Sequence, residues 1–440
     1  MEDKLLIVDK FGGSSLSCAT QFKKVKDIIL SNKQRAVIVV SALGKKNDSD
    51  SKITDLLYLL DAHIKYNVSY DNILNMIKER YLSVRDELKL DLDLEKEFDI
   101  IEKNLKDKCD QSYLVSRGEY LSALIMSKYL DYTFLDAKDL IIFDYDGTMN
   151  EELTYDAIKK TYEKNGPYVV IPGFYGAYQN GDIKLFSRGG SDITGAICAK
   201  ALNAKLYENW TDVSGIMMAS PKIVSNPKRI EEITYDELRE MSYMGANVLH
   251  EETIFPVQEM NIPINILNTN EPSNKGTIIR HKCEDTKQII TGITGKKDFV
   301  SITVKKTFQA NKREVVKYSL EVLGKYNVPI ESLPSSIDSF SMIVPMESSI
   351  KYIYDILTDL KKSKDVSDVS IDKDVALVAV VGRNMVTRIG ISGKIFALVG
   401  ENGINIKTIS QGSHELAIIF GVSNQDFEKT INVIYNELVK

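Results

Sequence analysis

The sequence predicts an α/β protein: a three-layer α/β/α sandwich followed by two ferredoxin-like (βαββαβ) domains. Over the first two thirds of the chain, short apolar runs typical of buried strands alternate with stretches whose apolar residues recur at helical spacing. In the last third, residues 301–371 have the order βαββαβ, and most of that order recurs after residue 374. The length of 440 residues also favours two or three domains over a single core.

Composition excludes several classes of function. Hydrophobic residues make up 43% of the chain and charged residues 27%, which is typical of a soluble globular protein. A formal charge of −6 gives no reason to expect a nucleic acid or a membrane surface as partner, and no apolar run approaches the ~20 residues of a membrane span. The four cysteines form no CxxC pair and the four histidines are scattered, so we expect a cytoplasmic protein without a protein-bound metal site.

The first motif is the stretch 5–15, LLIVDKFGGSS. It reads as a strand, a glycine turn and the start of a helix, an arrangement that directs backbone N–H groups at an anion. Gly12, Gly13 and Ser14 would supply those groups, and Lys10 would add a positive charge at the end of the strand. The alternative is a tight turn with an ordinary surface lysine. Residues 185–192, LFSRGGSD, repeat the pattern with a basic and an acidic residue, which favours one polyanion held from two sides.

The elements follow in order. Residues 36–40 predict a buried strand that ends at Ser41, residues 45–52 a mobile polar loop, and residues 53–114 a helical layer with breaks near 67–69 and 91–93. A helix after residues 115–119, VSRGE, would place Glu119 in its first turn, where the helix dipole alone could explain a carboxylate. Further strands are predicted at 168–171, 183–186, 205–212, 257–260 and 264–267, with helices at 193–201 and 235–244.

One motif points to a different chemistry. Residues 140–149, LIIFDYDGTM, resemble the nucleophile motif of the haloacid-dehalogenase phosphatases, with Asp144 as nucleophile and Asp146 as acid/base partner. The motif lies in mid-chain, and no later strand ends in the paired acids that such an enzyme needs for Mg²⁺. A strand followed by Asp and Gly is also a common strand ending, so this interpretation is disfavoured.

The last third contains the two ferredoxin-like domains. The second lacks its final strand, and a strand at 289–293 precedes the first domain. We expect that strand to close the second sheet, so that the first domain is inserted within the second. The predicted organisation is a catalytic domain at 1–285, a linker and strand at 286–298, one domain at 299–373 and one at 374–440.

Four motifs carry a specific resemblance: KFGGSS at 10–15, VSRGE at 115–119, SRGGSD at 187–192 and WTDVSGI at 210–216. They occur in the order found in the aspartate kinases, so the chain resembles a monofunctional member of that family over nearly its whole length. The fold is then an amino-acid-kinase sandwich, and the stretch 404–413, INIKTISQGS, resembles the ACT domains of the family. The resemblance implies phosphorylation of the side-chain carboxylate of L-aspartate by ATP with Mg²⁺, the first step of lysine, threonine and methionine biosynthesis. It also implies a homodimer formed through the ACT domains, with a tetramer as alternative, and feedback inhibition by lysine or, alternatively, threonine.

The resemblance also implies roles for individual residues. Two are catalytic: Lys10 and Asp192. Seven bind the amino acid: Ser41, Thr54, Glu119, Phe174, Arg188, Gly189 and Ser191. Eight bind the nucleotide: Gly12, Gly13, Ser14, Thr211, Asp212, Met217, Lys222 and Asn247. Eight bind the amino-acid effector: Gln309, Asn311, Val315, Val316, Pro329, Ile330, Glu331 and Ser336.

Two departures from the family pattern concern the nucleotide. Lys222 stands where relatives have the arginine of a DPR segment, and Asn247 stands where they have a lysine. Because both changes weaken a cationic site, an altered ATP affinity is expected. A regulatory amino-acid-binding protein with weak catalysis is therefore one alternative. Glutamate 5-kinase and N-acetylglutamate kinase are others, although the ACT pair and VSRGE favour aspartate.

Overall fold

The computed structural model describes residues 6–107, 109–187, 189–246, 249, 251–283, 289–385, 388–411 and 416–439. Contacts between Cα atoms group the chain into two compact units, and the second contains residues 217–228 and 236–247 in addition to those from 284 onward. The catalytic domain predicted at 1–285 therefore contributes two segments to the second unit. Among the described residues, no helix is long and apolar enough to cross a membrane.

The first unit contains one large sheet and a small one. The strands are β1 Ile7–Phe11, β2 Arg35–Val40, β3 Thr133–Phe134, β4 Ile142–Phe143, β5 Val169–Pro172, β6 Tyr175–Tyr178, β7 Ile183–Leu185, β8 Leu206–Thr211, β9 Glu232–Thr234, β10 Ile264–Asn268 and β11 Thr277–Arg280. The large sheet has the order β3-β5-β2-β1-β8-β10-β11-β9, and β4-β6-β7 form the small one. The pairs of the large sheet are parallel except β10 with β11.

Helices cover both faces of the large sheet. The helices of the first unit are α1 Ala19–Leu30, α2 Ile53–Lys65, α3 Asp71–Glu87, α4 Leu94–Lys106, α5 Gln111–Leu130, α6 Glu151–Asn165, α7 Gly190–Ala201 and α9 Glu251–Glu259. Helix α8 Tyr235–Tyr243 precedes α9 in the chain, and all of it except Tyr235 belongs to the second unit. Strand alternation assigns the faces: Phe11 and Trp210 belong to the buried cluster formed with α1–α5, whereas Lys10 and Asn209 point to the α7 side. The predicted three-layer sandwich is confirmed, since helices lie on both faces of the sheet. The sequence indicated it because strands that are buried on both faces appear as continuous apolar runs.

One predicted strand is a helix end, and one disfavoured alternative gains no support. Residues 257–260, predicted as a strand, lie at the end of helix α9 and beyond it, with Pro256 inside the helix. A short apolar run beside a proline does not distinguish strand from helix, and here packing against α7 decides. The DxDGT motif also does not follow a strand of the large sheet. It follows the two-residue β4, and Asp146 accepts hydrogen bonds only locally, from Thr148 N–H and Oγ1, so the structure lends the phosphatase alternative no support.

The second unit contains a single five-stranded sheet of order β13-β12-β14-β16-β15. Its strands are β12 Gly292–Lys306, β13 Ser339–Pro345, β14 Val366–Val381, β15 Thr408–Ser410 and β16 Ala417–Val422. Its helices are α10 Lys312–Lys325, α11 Met346–Ser349, α12 Ile353–Lys361, α13 Ile391–Glu401 and α14 Phe427–Leu438.

Two long antiparallel strands, β12 and β14, run through both ferredoxin-like halves. Gly292–Lys296 pairs with the part of β14 that also pairs β16, and residues 299–306 pair with β13 and the rest of β14. The register shifts between Lys296 and Phe299, where Asp298 has a φ of 65°. Strand β12, which begins at Gly292, thus pairs first in the half that contains β16 and then in the half that contains β13. The predicted domain bounds stay predictions. The strand predicted near 330–333 is reduced to isolated bridges such as Ser332 with Ile343.

The two early segments of the second unit are bound to it by buried polar contacts. Glu237 of α8 is fully buried, and its carboxylate accepts hydrogen bonds from Arg383 N–H at 2.9 Å and from Thr291 Oγ1 at 2.5 Å. Arg383 Nε completes an ion pair with Glu237 Oε2 at 3.1 Å. The backbone N–H of Lys228 donates to the hydroxyl of Tyr435 in α14 at 2.7 Å. Residues 217–228 and 236–246 are thus structural parts of this unit.

We predict that Glu237→Gln destabilises the second unit, because glutamine is uncharged and the buried negative charge that pairs with Arg383 is lost. Breaking a buried ion pair costs about 3 kcal/mol or more, so the Tm of this unit should fall by at least about 5 °C. Calorimetry of the whole chain measures it. The matched control is Glu428→Gln, which removes the exposed pair with Lys297 and should shift the Tm by less than about 1 °C. Equal shifts for the two variants would contradict the prediction.

Candidate active site

A cleft of about 730 Å³ lies in the first unit, where β1, β2 and β8 end at the same edge of the sheet. In an open parallel sheet this edge is where ligands bind. The cleft is lined by Lys10, Gly12, Gly13, Ser14, Ser41, Ala42, Leu43, Gly44, Lys45, Asn47, Asp48, Lys52, Thr54, Glu119, Phe174, Gly189, Gly190, Ser191, Asp192, Thr211 and Asp212.

Lys10 and Asp192 form an ion pair in this cleft. The distance from Lys10 Nζ to Asp192 Oδ1 is 2.5 Å, and the two side chains are 9% and 18% exposed. Asn209 Nδ2 donates to the same Oδ1 at 2.8 Å, and Asn209 is the residue of β8 that stands beside Lys10 in the sheet. The strand end, the neighbouring strand and the first turn of α7 therefore fix one cation and one carboxylate at the edge of the sheet.

The glycines after β1 allow unusually close backbone packing. Gly12 N–H donates to Trp210 O at 3.0 Å, and Gly44 N–H donates to Gly13 O at 2.8 Å. A Cβ atom on Gly13 would lie 2.9 Å from Ala42 O, and one on Gly44 would lie 2.5 Å from Gly13 C and O. The loops that follow β1 and β2 are thus in direct backbone contact, which only residues without a Cβ permit at these two positions.

Glu119 differs from its predicted setting. It lies in the middle of the 20-residue helix α5, not in a first turn, so a helix dipole does not explain it. Gly118 brings the helix against the loop after β2, and Glu119 Oε1 accepts a hydrogen bond from Ala42 N–H at 3.1 Å. The other oxygen, Oε2, is buried without a hydrogen-bond partner. Burial raises the pKa of Glu119 to about 8, although the bond from Ala42 opposes the shift. An unpartnered buried carboxylate oxygen beside the cleft suits a ligand cation.

The wall next to α7 contains two residues with left-handed backbone. Gly189 caps the helix with a φ of 62°, which glycine adopts without strain. Phe174 has a φ of 79°, which is costly for an aromatic residue and is typical of functional sites. Its N–H donates to Thr194 Oγ1 at 3.2 Å, so the packing of α7 holds the strained residue in place.

The described residues predicted for catalysis and for amino-acid binding all line the cleft. Of the predicted nucleotide ligands, Gly12, Gly13, Ser14, Thr211 and Asp212 line it too. Met217 and Lys222 belong to the second unit and are absent from the lining. Arg188 and Asn247 lie outside the described residues. All of these roles stay predictions.

Sequence reasoning missed two features of the site. Asn209 received no role, although pairing β1 with β8 in register would have placed it beside Lys10. Residues 45–52 were interpreted as a mobile loop, yet Lys45, Asn47, Asp48 and Lys52 line the cleft. In the sequence these residues lie between Ser41 and Thr54, which are both predicted to bind the substrate. That position could have indicated that they line the same cleft.

The predicted effector residues lie in the second unit, around the start of α10 and the loop before β13. Asn311 caps α10 by accepting from Arg313 N–H at 3.0 Å, and Val315 is buried. Lys312 Nζ donates to Ser336 O, which joins the two predicted segments. The backbone N–H of Glu331 donates to Ile343 O at 2.8 Å. The side-chain Oε2 of Glu331 is buried without a hydrogen-bond partner. Gln309 and Pro329 are exposed, while Val316 and Ile330 are half-buried.

Comparison with known proteins supplies the class. Residues 5–268 match the amino acid kinase family and residues 378–438 match an ACT domain. Aspartokinase 3 of Bacillus subtilis is 33% identical over 447 residues, with 98% of each chain covered. The crystal structure of Clostridium acetobutylicum aspartate kinase has a TM-score of 0.93 and 44% identity, covering 98% of this chain and 100% of that one. The Escherichia coli aspartokinase III in complex with aspartate and ADP, at 24% identity and a TM-score of 0.76 over 99% and 100% of the chains, supports the fold alone.

The fold and the matches define an amino acid kinase with an ACT domain. The chain belongs to the amino acid kinase family and, within it, to the aspartokinases.

We predict that Glu119→Gln changes the pH dependence of stability. The folded pKa of about 8 exceeds the unfolded value of about 4.3, so the native state binds more protons between these values and loses stability as the pH rises through them. Gln cannot ionise, so the variant should match the wild type at pH 4 and exceed its Tm by about 5 °C or more at pH 8.5. Thermal unfolding at both pH values tests this. The exposed Glu87→Gln serves as control, and parallel pH profiles for wild type and Glu119→Gln would contradict the prediction.

Proposed function

We propose that the cleft transfers the γ-phosphoryl group of MgATP to the side-chain carboxylate of L-aspartate, giving 4-phospho-L-aspartate and ADP. The observation that carries this proposal is the Lys10–Asp192 pair, which shares the cleft with the glycine loop after β1 and with Glu119, whose Oε2 has no hydrogen-bond partner. Membership in the aspartokinases supports the reaction class.

The transfer joins two anions, so its main demand is positive charge between them. An oxygen of the aspartate side chain attacks the γ-phosphorus, and the bond from that phosphorus to the bridging oxygen of ADP breaks. No general base is required, because a carboxylate is already ionised at neutral pH. Lys10 and the N–H groups of Gly13 and Ser14 neutralise charge on the transferred group. The N–H of Gly12, predicted to do the same, donates to Trp210 O instead. Asp192, which accepts a hydrogen bond from Asn209, holds the Lys10 ammonium in position.

Magnesium enters this scheme as part of the nucleotide substrate. Among the residues that the structure describes, no group of three or more Asp, Glu, His and Cys side chains is arranged to hold a metal ion. Mg²⁺ in kinases is commonly held by substrate phosphates and one or two carboxylates, and Asp192 is the carboxylate available beside Lys10. Thr211 and Asp212 complete the nucleotide side of the cleft. The roles predicted for Met217, Lys222 and Asn247 stay predictions from the sequence.

The amino acid is held at both ends. Glu119 takes the substrate ammonium, which favours the ionised carboxylate and therefore releases the proton that burial holds on the free protein. Arg188 takes the α-carboxylate, for which a planar guanidinium offers two parallel hydrogen bonds. The remaining wall is formed by Ser41, Thr54, Phe174, Gly189 and Ser191.

We predict that Lys10→Met lowers kcat by about 10²-fold or more with a small change in KM for aspartate, because the missing charge acts on the transferring group. Coupled ADP release with L-aspartate measures both constants. Lys160→Met, which removes an exposed lysine from α6, is the control and should leave kcat unchanged. Near-wild-type turnover by Lys10→Met would remove this residue from the chemistry.

The second unit is proposed to bind an amino-acid effector, with lysine preferred over threonine, and to form a homodimer, with a tetramer as alternative. The ACT match at residues 378–438 supports a regulatory role for the unit. In the other half of the unit, the buried Oε2 of Glu331, which has no hydrogen-bond partner, supports an ammonium-binding site. Burial, and then the neighbouring Glu331, raise the pKa of the Tyr243 hydroxyl to about 12, so the end of α8 lies beside this carboxylate. A cytoplasmic location belongs to the same proposal, since all four cysteines are free thiols.

We predict that L-lysine inhibits the kinase and that Glu331→Gln raises the inhibitory concentration by about tenfold, since a neutral amide binds an ammonium group weakly. Activity is measured against lysine and threonine, separately and together. Glu321→Gln, on the exposed face of α10, is the control. If neither amino acid changes the rate, the regulatory proposal fails and the unit serves assembly alone.

A further inference from the structure

We propose that Arg80 is a positioning residue for the phosphoryl transfer: from outside the cleft, its guanidinium holds the loop of residues 44–51 against the glycine loop after β1. This inference deepens the proposed function and rests on it. Arg80 lies on α3, is absent from the cleft lining, and has a side chain that is only 11% exposed.

One guanidinium binds both ends of the loop. Nη2 donates to Gly44 O at 2.6 Å, and Nη1 donates to Ser51 O at 3.2 Å. Nη1 also forms an ion pair with Asp50 Oδ2 at 2.7 Å, and that oxygen accepts a hydrogen bond from Lys46 N–H at 2.8 Å. Nη2 reaches Ser17 O, at the end of the glycine loop, at 3.5 Å. Arg80 therefore binds both ends of the loop after β2 and, at the limit of hydrogen-bond distance, the end of the glycine loop after β1.

The same loop lines the cleft in which the substrates are proposed to bind. Lys45, Asn47 and Asp48 line the cleft, and Gly44 N–H donates to Gly13 O at 2.8 Å. A Cβ on Gly44 would lie 2.5 Å from two backbone atoms of Gly13. Because these backbones are in direct contact, the position of Gly44 determines where Gly13 presents its N–H to a phosphate.

Arginine is specifically suited to this position. Its guanidinium is a rigid planar fork with separate nitrogens, so it can bind Gly44 O, Ser51 O and the Asp50 carboxylate at once. A lysine ammonium is a single donor centre on a flexible stem and cannot reach these three groups together. Arg80→Lys therefore keeps the charge and loosens the loop.

The experiment compares Arg80→Lys with Arg85→Lys. Arg85 lies on the same helix, has a side chain 15% exposed, and binds Asp86, Glu95 and Leu92 O away from the cleft. We expect Arg80→Lys to lower kcat by about tenfold or more, since small misplacements of reacting groups cost one to two powers of ten. Its Tm should change no more than that of Arg85→Lys, which should keep its kcat. Asp50→Asn should lower kcat as well, and the double variant should be no worse than Arg80→Lys alone, because the two residues act as one unit.

A second measurement, calorimetric binding of MgADP, reads the glycine loop without turnover. Arg80→Lys should weaken MgADP binding by about tenfold relative to wild type and Arg85→Lys. If the wild type releases no ADP with aspartate, the proposed function fails, and MgADP affinity alone then decides the role of Arg80. Unchanged MgADP affinity, or a kcat loss that follows Tm equally in both variants, would overturn the inference.

Discussion

The cleft depends on the ion pair between Lys10 and Asp192. These residues come from a strand end and a helix start that are far apart in sequence, and each would be costly to bury alone. Asn209 Nδ2 donates to Asp192 Oδ1, the same oxygen that Lys10 Nζ contacts. This one oxygen therefore accepts from both side chains, and Asp192 sets the direction of the Lys10 ammonium. The parallel pairing of β1 with β8 makes this geometry possible, because it sets Lys10 beside Asn209.

The surrounding loops are arranged on this pair by backbone packing. In the glycine loop, Gly12 N–H donates to Trp210 O of β8. In the loop after β2, Gly44 N–H donates to Gly13 O of the glycine loop. Glu119 then reaches the same region because Gly118 lets α5 approach Ala42. Three elements thus meet at distances that side chains on Gly44 and Gly118 would prevent, and the polar groups of the cleft are preorganised before any substrate binds.

The sandwich and most of the cleft were predictable from the sequence, because buried parallel strands and glycine-pair loops leave strong local patterns. The GG pairs at 12–13 and 189–190 identified the strand and helix ends correctly. The start of α5 at Gln111 was missed, since Gly118 resembles a helix boundary although it serves close helix packing. The role of residues 45–52 was also hidden, because an exposed polar loop has the same composition whether or not a distant arginine holds it. Likewise, nothing local marks residues 217–228 and 236–247 as parts of the second unit, since their partners, such as Arg383 and Tyr435, come much later in the chain.

The continuous strands β12 and β14 restrict how this protein can vary in length. A residue inserted within either strand would exchange the inward and outward faces of everything beyond it, in two structural halves at once. The register shift at Lys296–Phe299, with its left-handed Asp298, already absorbs such a mismatch. Insertions and deletions along β12 should therefore be tolerated best at its register shifts, of which this bulge is the one that separates the two halves.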